Sequence, residues 1–180
     1  SKQTLQDLRV TEGPEFMPQT GKSENTIQFN YFISDQLINV KYRDGRKNFK
    51  LYKGAEKIFY NINSIVGYDS CIIVEGEMDV LAMHEAGIKN VISVPNGATL
   101  NSNNLDYLDN CIDYFEDKEK VILAVDADEA GQALRQEFIR RLGAEVCHLV
   151  DFEDCKDAND YLVKYGKSAL RHVIEKAKQV

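Results

Sequence analysis

No two of the four cysteines, Cys71, Cys111, Cys147 and Cys155, stand in a Cys-x-x-Cys pair, so their spacing offers no structural zinc site. Cys71 and Cys147 fall instead in apolar, strand-like runs, where a reduced cysteine serves as a small hydrophobe. No apolar run approaches membrane-spanning length, and the first residues lack the layout of a signal peptide. These absences argue against structural zinc and a membrane helix, and predict a cytoplasmic protein without membrane partners. The three histidines, His84, His148 and His172, are scattered without ligand spacing. Gly21-Lys22-Ser23 has the tail of a P-loop but not its head, because Phe16 stands where the first glycine is required and no strand precedes it. There is no internal repeat and no low-complexity tract. The chain begins at Ser1 rather than Met, as expected of an excised or processed piece.

What is present is enough for a sizeable core: 180 residues, 43% apolar and 28% charged. The net charge of −7 argues against a nucleic-acid partner only until it is divided. Residues 1–66 hold 10 basic and 7 acidic side chains, and residues 67–180 hold 12 and 22. The basic excess is concentrated in 37–60, where Lys41, Arg43, Arg46, Lys47, Lys50, Lys53 and Lys57 face only Asp44 and Glu56. Such a stretch can track phosphates.

The patterning also divides there, into residues 1–66 and 67–180. The spacing predicts a short helix over 4–10, then loop to residue 25. The runs 26–33 and 36–43 are rich in β-formers, with turns at Ser34-Asp35 and Asp44-Gly45 before a third run at 48–52. This is a small antiparallel meander, joined by a connector at 58–66. Beyond Asp69, apolar strands at 71–74, 90–94, 121–125 and 145–150 alternate with helical stretches at about 78–86, 102–117, 129–142 and 157–179. That alternation predicts an α/β fold with a parallel sheet flanked by helices. Gly87 and Gly143 are natural helix stops.

Two of those strands end in acids. Cys71-Ile72-Ile73-Val74 runs into Glu75-Gly76-Glu77-Met78-Asp79, and the strand ending at Val125 runs into Asp126-Ala127-Asp128-Glu129-Ala130-Gly131. In parallel sheets ligands bind beyond the carboxyl ends of strands. Carboxylates gathered there repel one another unless a hard cation neutralises them, which suits Mg²⁺ or Mn²⁺. Each acid also has a plainer use: Glu77 and Asp79 favour a helix start, and Asp128 and Asp157 suit N-caps. Lys156-Asp157-Ala158-Asn159 adds a third acidic station. Pro95-Asn96-Gly97-Ala98-Thr99 is a turn whose N–H groups could meet a phosphate. The aromatics at 29, 31, 32, 42, 49 and 52 could stack on bases, although at least half are expected in the core of the meander.

In order and spacing, these three acidic stretches resemble the signature of the Toprim domain. The closest likeness is to the primase half of phage primase-helicases, Twinkle-like proteins and DnaG-type primases. Val40-Lys41-Tyr42-Arg43 and Asn48-Phe49-Lys50 resemble parts of the N-terminal subdomain of that RNA polymerase core. The resemblance implies metal-dependent, template-directed synthesis of short RNA primers on single-stranded DNA from nucleoside triphosphates, beside a replicative helicase. It implies Glu75 as general acid/base or metal-tuning group, Asp126 and Asp128 as catalytic metal ligands, and Asp157 as a further ligand. Glu77 and Asp79 would belong to the same acidic cluster. Lys41, Arg43, Lys50 and Lys156, with Asn96 and Gly97, would meet nucleotide or template. The zinc-binding and helicase domains usual in that family have no counterpart motif here, so the expectation is a core without these accessories. The same acids also serve Toprim nucleases and topoisomerases, and a non-catalytic binding module could keep the fold. The basic β-rich half favours a primase.

Overall fold

The computed structural model describes residues 1–98 and 105–180. A short helix, α1 (Lys2–Asp7), precedes a four-stranded antiparallel sheet of β1 (Thr11–Met17), β2 (Lys22–Ile33), β3 (Gln36–Asp44) and β4 (Phe49–Leu51), in that spatial order. The meander turns where expected: Ile33 pairs with Gln36 across Ser34-Asp35, and Ser34 takes φ 52°. The expected loop before residue 25 is partly strand, because Thr11–Met17 pairs with Lys22–Gln28. Gly13 and Pro14 conceal this strand in the sequence. Proline lacks the N–H a central strand needs, but β1 is an edge, where that loss is harmless.

The second sheet has the order β6 (Val91–Ser93), β5 (Ser70–Val74), β7 (Lys120–Leu123), β8 (Cys147–Leu149) and β9 (Lys178–Gln179). The first four strands are parallel, and β9 adds an antiparallel edge. Cys71, Ile72, Ile73 and Val74 are all buried, as strands covered on both faces require. Their covering helices include α2 (Glu77–Glu85) and α4 (Glu129–Leu142). Gly87 ends α2 with φ 89°, while the N–H groups of Gly87 and Ile88 return to the carbonyls of His84 and Met83.

Two long helices expected from the sequence are shorter pieces. In place of one over 102–117 stand α3 (Asp106–Asp109) and a 3₁₀ turn at Ile112–Phe115; Thr99 and residues 102–104 lie outside the described residues. The stretch 157–179 divides at Gly166, φ 85°, into α5 (Ala158–Tyr165) and α6 (Lys167–Glu175) before β9. The apolar period of α5 and α6 is helical on both sides, so only the glycine signals the break.

The connector at 58–66 does more than join. Ile58, Phe59, Tyr60, Ile62 and Ile65 are buried, and Tyr60 exchanges backbone hydrogen bonds with Ser93 beside β6. Phe59 sits edge-on to Tyr107 at 4.9 Å, and Tyr60 edge-on to Tyr31 at 5.2 Å. Each such side chain contributes roughly 1.5–3 kcal/mol of burial. One continuous core therefore runs from Phe29 and Tyr31 on β2 to Val121–Leu123 on β7. Among the described residues no helix is long and apolar enough to cross a membrane.

Candidate metal and nucleotide site

The loops that leave β6, β5, β7 and β8 all emerge at one end of the second sheet, where the edge of the first sheet leans over them. Between them lies a cavity of about 410 Å³ whose floor carries Glu75, Asp79, Asp126 and Asp157 and whose wall carries Lys41, Phe49 and Lys50. Parallel strand direction is the cause: it delivers every strand-end acid to the same side.

Glu75 ties three of these loops together. Its Oε1 accepts the Asp126 N–H at 3.0 Å and its Oε2 accepts the Ala98 N–H at 3.3 Å. Burial, and then the Asp126 carboxylate, push its pKa up to about 7. Gly131 explains why this approach is possible. A Cβ there would collide with the Asp126 backbone carbonyl and lie 2.5 Å from Glu75 Oε1. The glycine in Asp-Glu-Ala-Gly thus admits the acid as well as donating its N–H to the Asp128 cap of α4.

Asp79 stands in the first turn of α2 and is buried; its Oδ1 accepts the Asn159 N–H at 3.0 Å. Burial first, and then Asp157, raise its pKa to about 8. Asp126 is buried as well, and its pKa is raised by that burial against the opposing pull of Lys156. Asp79, Asp126 and Asp157 each present a carboxylate oxygen within 4.8 Å of the others. Across the rim, Lys156 Nζ lies 2.9 Å from Asp126 Oδ2 and 3.8 Å from Asp128 Oδ2.

Several sequence-assigned residues have structural duties here. Asp128 caps α4 through the Gly131 N–H at 3.0 Å, and Asp157 caps α5 through the Asp160 N–H at 2.8 Å. Each cap leaves a second oxygen free for other work. Glu77 is drawn to the antiparallel sheet: both its oxygens accept from Lys41 Nζ, at 2.9 and 3.0 Å, and Oε1 also accepts from the Tyr31 hydroxyl. All three side chains are buried, and burial followed by Glu77 raises the Tyr31 pKa. Lys41, assigned to phosphate from the sequence, is thus held by Glu77 across the two sheets.

Arg43 packs along Met78, with its guanidinium 5.9 Å from the Phe49 ring centre, and its Nε is buried without a partner. Lys50 donates to Glu15 at 2.5 Å and to the Phe16 carbonyl at 2.6 Å. Asn96 and Gly97 line the cavity, Gly97 with φ 67°, while Thr99 of the same turn lies outside the described residues. Of the six aromatics weighed for base stacking, Phe29, Tyr31 and Tyr42 are buried, whereas Phe49 is 46% exposed in the cavity wall. The role of Tyr31 had no sequence signal, since its partner lies 46 residues away.

A family model described as Toprim-like matches residues 72–162, the segment that holds every one of these acids. The chain belongs to the Toprim-like family. It is 39% identical over 168 residues to the Primase homolog protein of Arabidopsis thaliana, covering 84% of this chain and 50% of that one. It is 35% identical over 191 residues to the Twinkle homolog protein, chloroplastic/mitochondrial, of the same plant, covering 97% of this chain and 26% of the relative. The chain therefore spans about half the length of the first relative and about a quarter of the second. Among solved structures, the primase fragment of the bacteriophage T7 primase-helicase protein superposes with a TM-score of 0.78 at 23% identity, over 96% of this chain and 69% of that one. A DnaG primase catalytic domain bound to ssDNA gives 0.72 at 16% identity, over 99% and 68%. At these identities the likeness is one of fold, and it embraces the antiparallel sheet as well as the Toprim-like part.

Proposed function

We propose that this chain is the RNA-polymerising core of a DNA primase, which builds short RNA primers on single-stranded DNA from nucleoside triphosphates. The observation that carries the reading is the convergence of Asp79, Asp126 and Asp157 in a cavity walled by the cation-rich antiparallel sheet. Primase-named relatives support it, and a relative named as a Twinkle homolog supports a replicative helicase as partner.

The donor set fits Mg²⁺ or Mn²⁺: it consists of hard oxygens from three carboxylates close enough to share one ion. Asp79, Asp126 and Asp157 would hold the ion, with Asp128 at the rim. When bound, it would supply stabilisation for negative charge developing on a transferring phosphoryl group. The chain's own side chains supply the rest. Glu75 holds or releases a proton near neutral pH, at the junction of the acidic floor and the Gly97 turn. Arg43, Lys50 and Lys156 offer positive charge to a triphosphate or a template strand, and Asn96 with Gly97 brings the turn against it. Glu77 and Lys41 position the sheet that carries these cations. Phe49 offers an aromatic face to a base. Positioning and charge carry most of phosphoryl-transfer catalysis, so this division of labour suffices. Four buried thiols suit a reducing compartment, such as the cytoplasm.

The test is direct. The chain is incubated with Mg²⁺ or Mn²⁺, four labelled ribonucleotides and single-stranded DNA, beside an Asp126→Ala variant. Short RNA products that vanish in the variant are expected. Degraded template in their place would assign a nuclease, and product that survives Asp126→Ala would remove the site assignment.

A further inference from the structure

Lys156 reaches the acidic cluster from the rim of the cavity. Its ammonium group contacts the buried Asp126 carboxylate at 2.9 Å and lies 3.8 Å from Asp128. Nothing else fixes it there: the side chain is 58% exposed, and its only carboxylate neighbours within 4 Å among the described residues are these two. By contrast Lys41 is enclosed with Glu77, its ammonium bonded to both carboxylate oxygens. One lysine is enclosed with its partner and the other is open to solvent.

We propose that Lys156 is a built-in competitor for the metal site, occupying the Asp126 oxygen in the metal-free protein and leaving it when a divalent cation binds. The inference rests on the metal site proposed above and adds a property of it. Two cations cannot share one carboxylate oxygen at contact distance without strong repulsion. Lys156 holds only Oδ2, but a divalent ion on either oxygen of that carboxylate lies close enough to the ammonium to repel it; entry of the ion therefore displaces Lys156, and the cost appears as weakened metal affinity. It also releases a cation at the cavity rim, just as the site gains a positive centre. The arrangement offsets the charge of Asp126 in the metal-free protein, yet lets it accept an ion at little structural cost, because an exposed side chain swings away freely.

Direct Mn²⁺ titration by electron paramagnetic resonance, without substrate, tests this on the intact chain, Lys156→Met, Lys156→Arg and Asp126→Asn. Replacing a competitor of this exposure with an uncharged chain of similar length should tighten Mn²⁺ binding about three- to fivefold. Lys156→Arg retains the charge and should bind within about twofold of the parent. Asp126→Asn should lose the site. Parent-like or weaker Mn²⁺ binding by Lys156→Met, while Asp126→Asn loses binding, would overturn the competitor role and leave the metal site standing. Absence of Mn²⁺ binding from the parent and from Lys156→Met alike would overturn both.

Discussion

Glu77 and Asp79 stand two residues apart at the start of one helix, both buried, and their surroundings treat them in opposite ways. Glu77 is fully answered by the protein, with Lys41 on both oxygens and Tyr31 on one. Asp79 accepts a backbone N–H from Asn159 and faces two further carboxylates; burial first, and then Asp157, lift its pKa to about 8. The Glu77 junction has the character of a structural element: complete, enclosed and shared between the two sheets. The Asp79 cluster has no enclosed counter-charge of that kind among the described residues. Placing them side by side lets one strand–turn–helix segment fix the cavity wall and present an acidic cluster on its floor.

The largest effect should come from breaking the complete half. Glu77→Gln leaves a buried ammonium without its counter-charge, and Lys41→Met leaves a buried carboxylate. Each should cost about 3–5 kcal/mol of unfolding free energy, because removing one partner of a buried pair strands the other. The double variant should recover most of the loss, since neither charge is then stranded. Denaturant unfolding of the four proteins measures this cycle, and single variants that cost less than about 1 kcal/mol would show an idle pair. Replacing Lys41 to probe phosphate contact would confound binding with stability, so Arg43 and Lys50 are the better positions for salt-dependence measurements.

The incomplete half should respond with the opposite sign. Unfolded Asp79 ionises near the ordinary value of 3.8, while the folded chain keeps the proton to about 8. Between those values the folded state binds more protons, so stability falls as pH rises, and the loss is complete above about 8. Asp79→Asn removes that penalty and keeps an acceptor for the Asn159 N–H. Metal-free Asp79→Asn should gain on the order of 1–2 kcal/mol at pH 8, or several degrees in Tm, and the gain should vanish near pH 4. A variant less stable than the parent at pH 8 would contradict the reading of Asp79 as an electrostatically frustrated acid. Glu75 follows the same sign over a narrower window, from about 4.5 to about 7.

The contrast explains what could be read in advance. Acids placed after apolar strands announce a cluster, because parallel topology sends all strand ends one way; Glu75, Asp79, Asp126 and Asp157 were legible for that reason. Nothing local separates Glu77 from them, since its partners lie 36 and 46 residues away on strands of the other sheet. The hidden strand at Thr11–Met17 and the break at Gly166 have the same origin. Proline and glycine are read as loop or stop, and only the sheet edge or the helix packing decides which rule applies. The aromatics were likewise divisible only by burial: Tyr31 went to the junction and Phe49 to the cavity.

Asp128 sits between the two kinds of acid and gives the finest test. One oxygen caps α4, while the other faces Lys156 at 3.8 Å on the open rim. Asparagine caps a helix about as well as aspartate, so Asp128→Asn keeps the first duty and deletes the charge. Asp128→Ala deletes both, and should cost about 1 kcal/mol through the lost cap. Asp128→Asn should therefore unfold within about 0.5 kcal/mol of the parent, with Mn²⁺ affinity lower by about two- to fivefold because a rim carboxylate is worth little in water. Unchanged Mn²⁺ affinity would reduce Asp128 to a helix cap. A loss as complete as that of Asp126→Asn would move it from the rim into the metal's immediate ligand set, and the boundary between structural and metal-facing acids would then run through Glu77 alone.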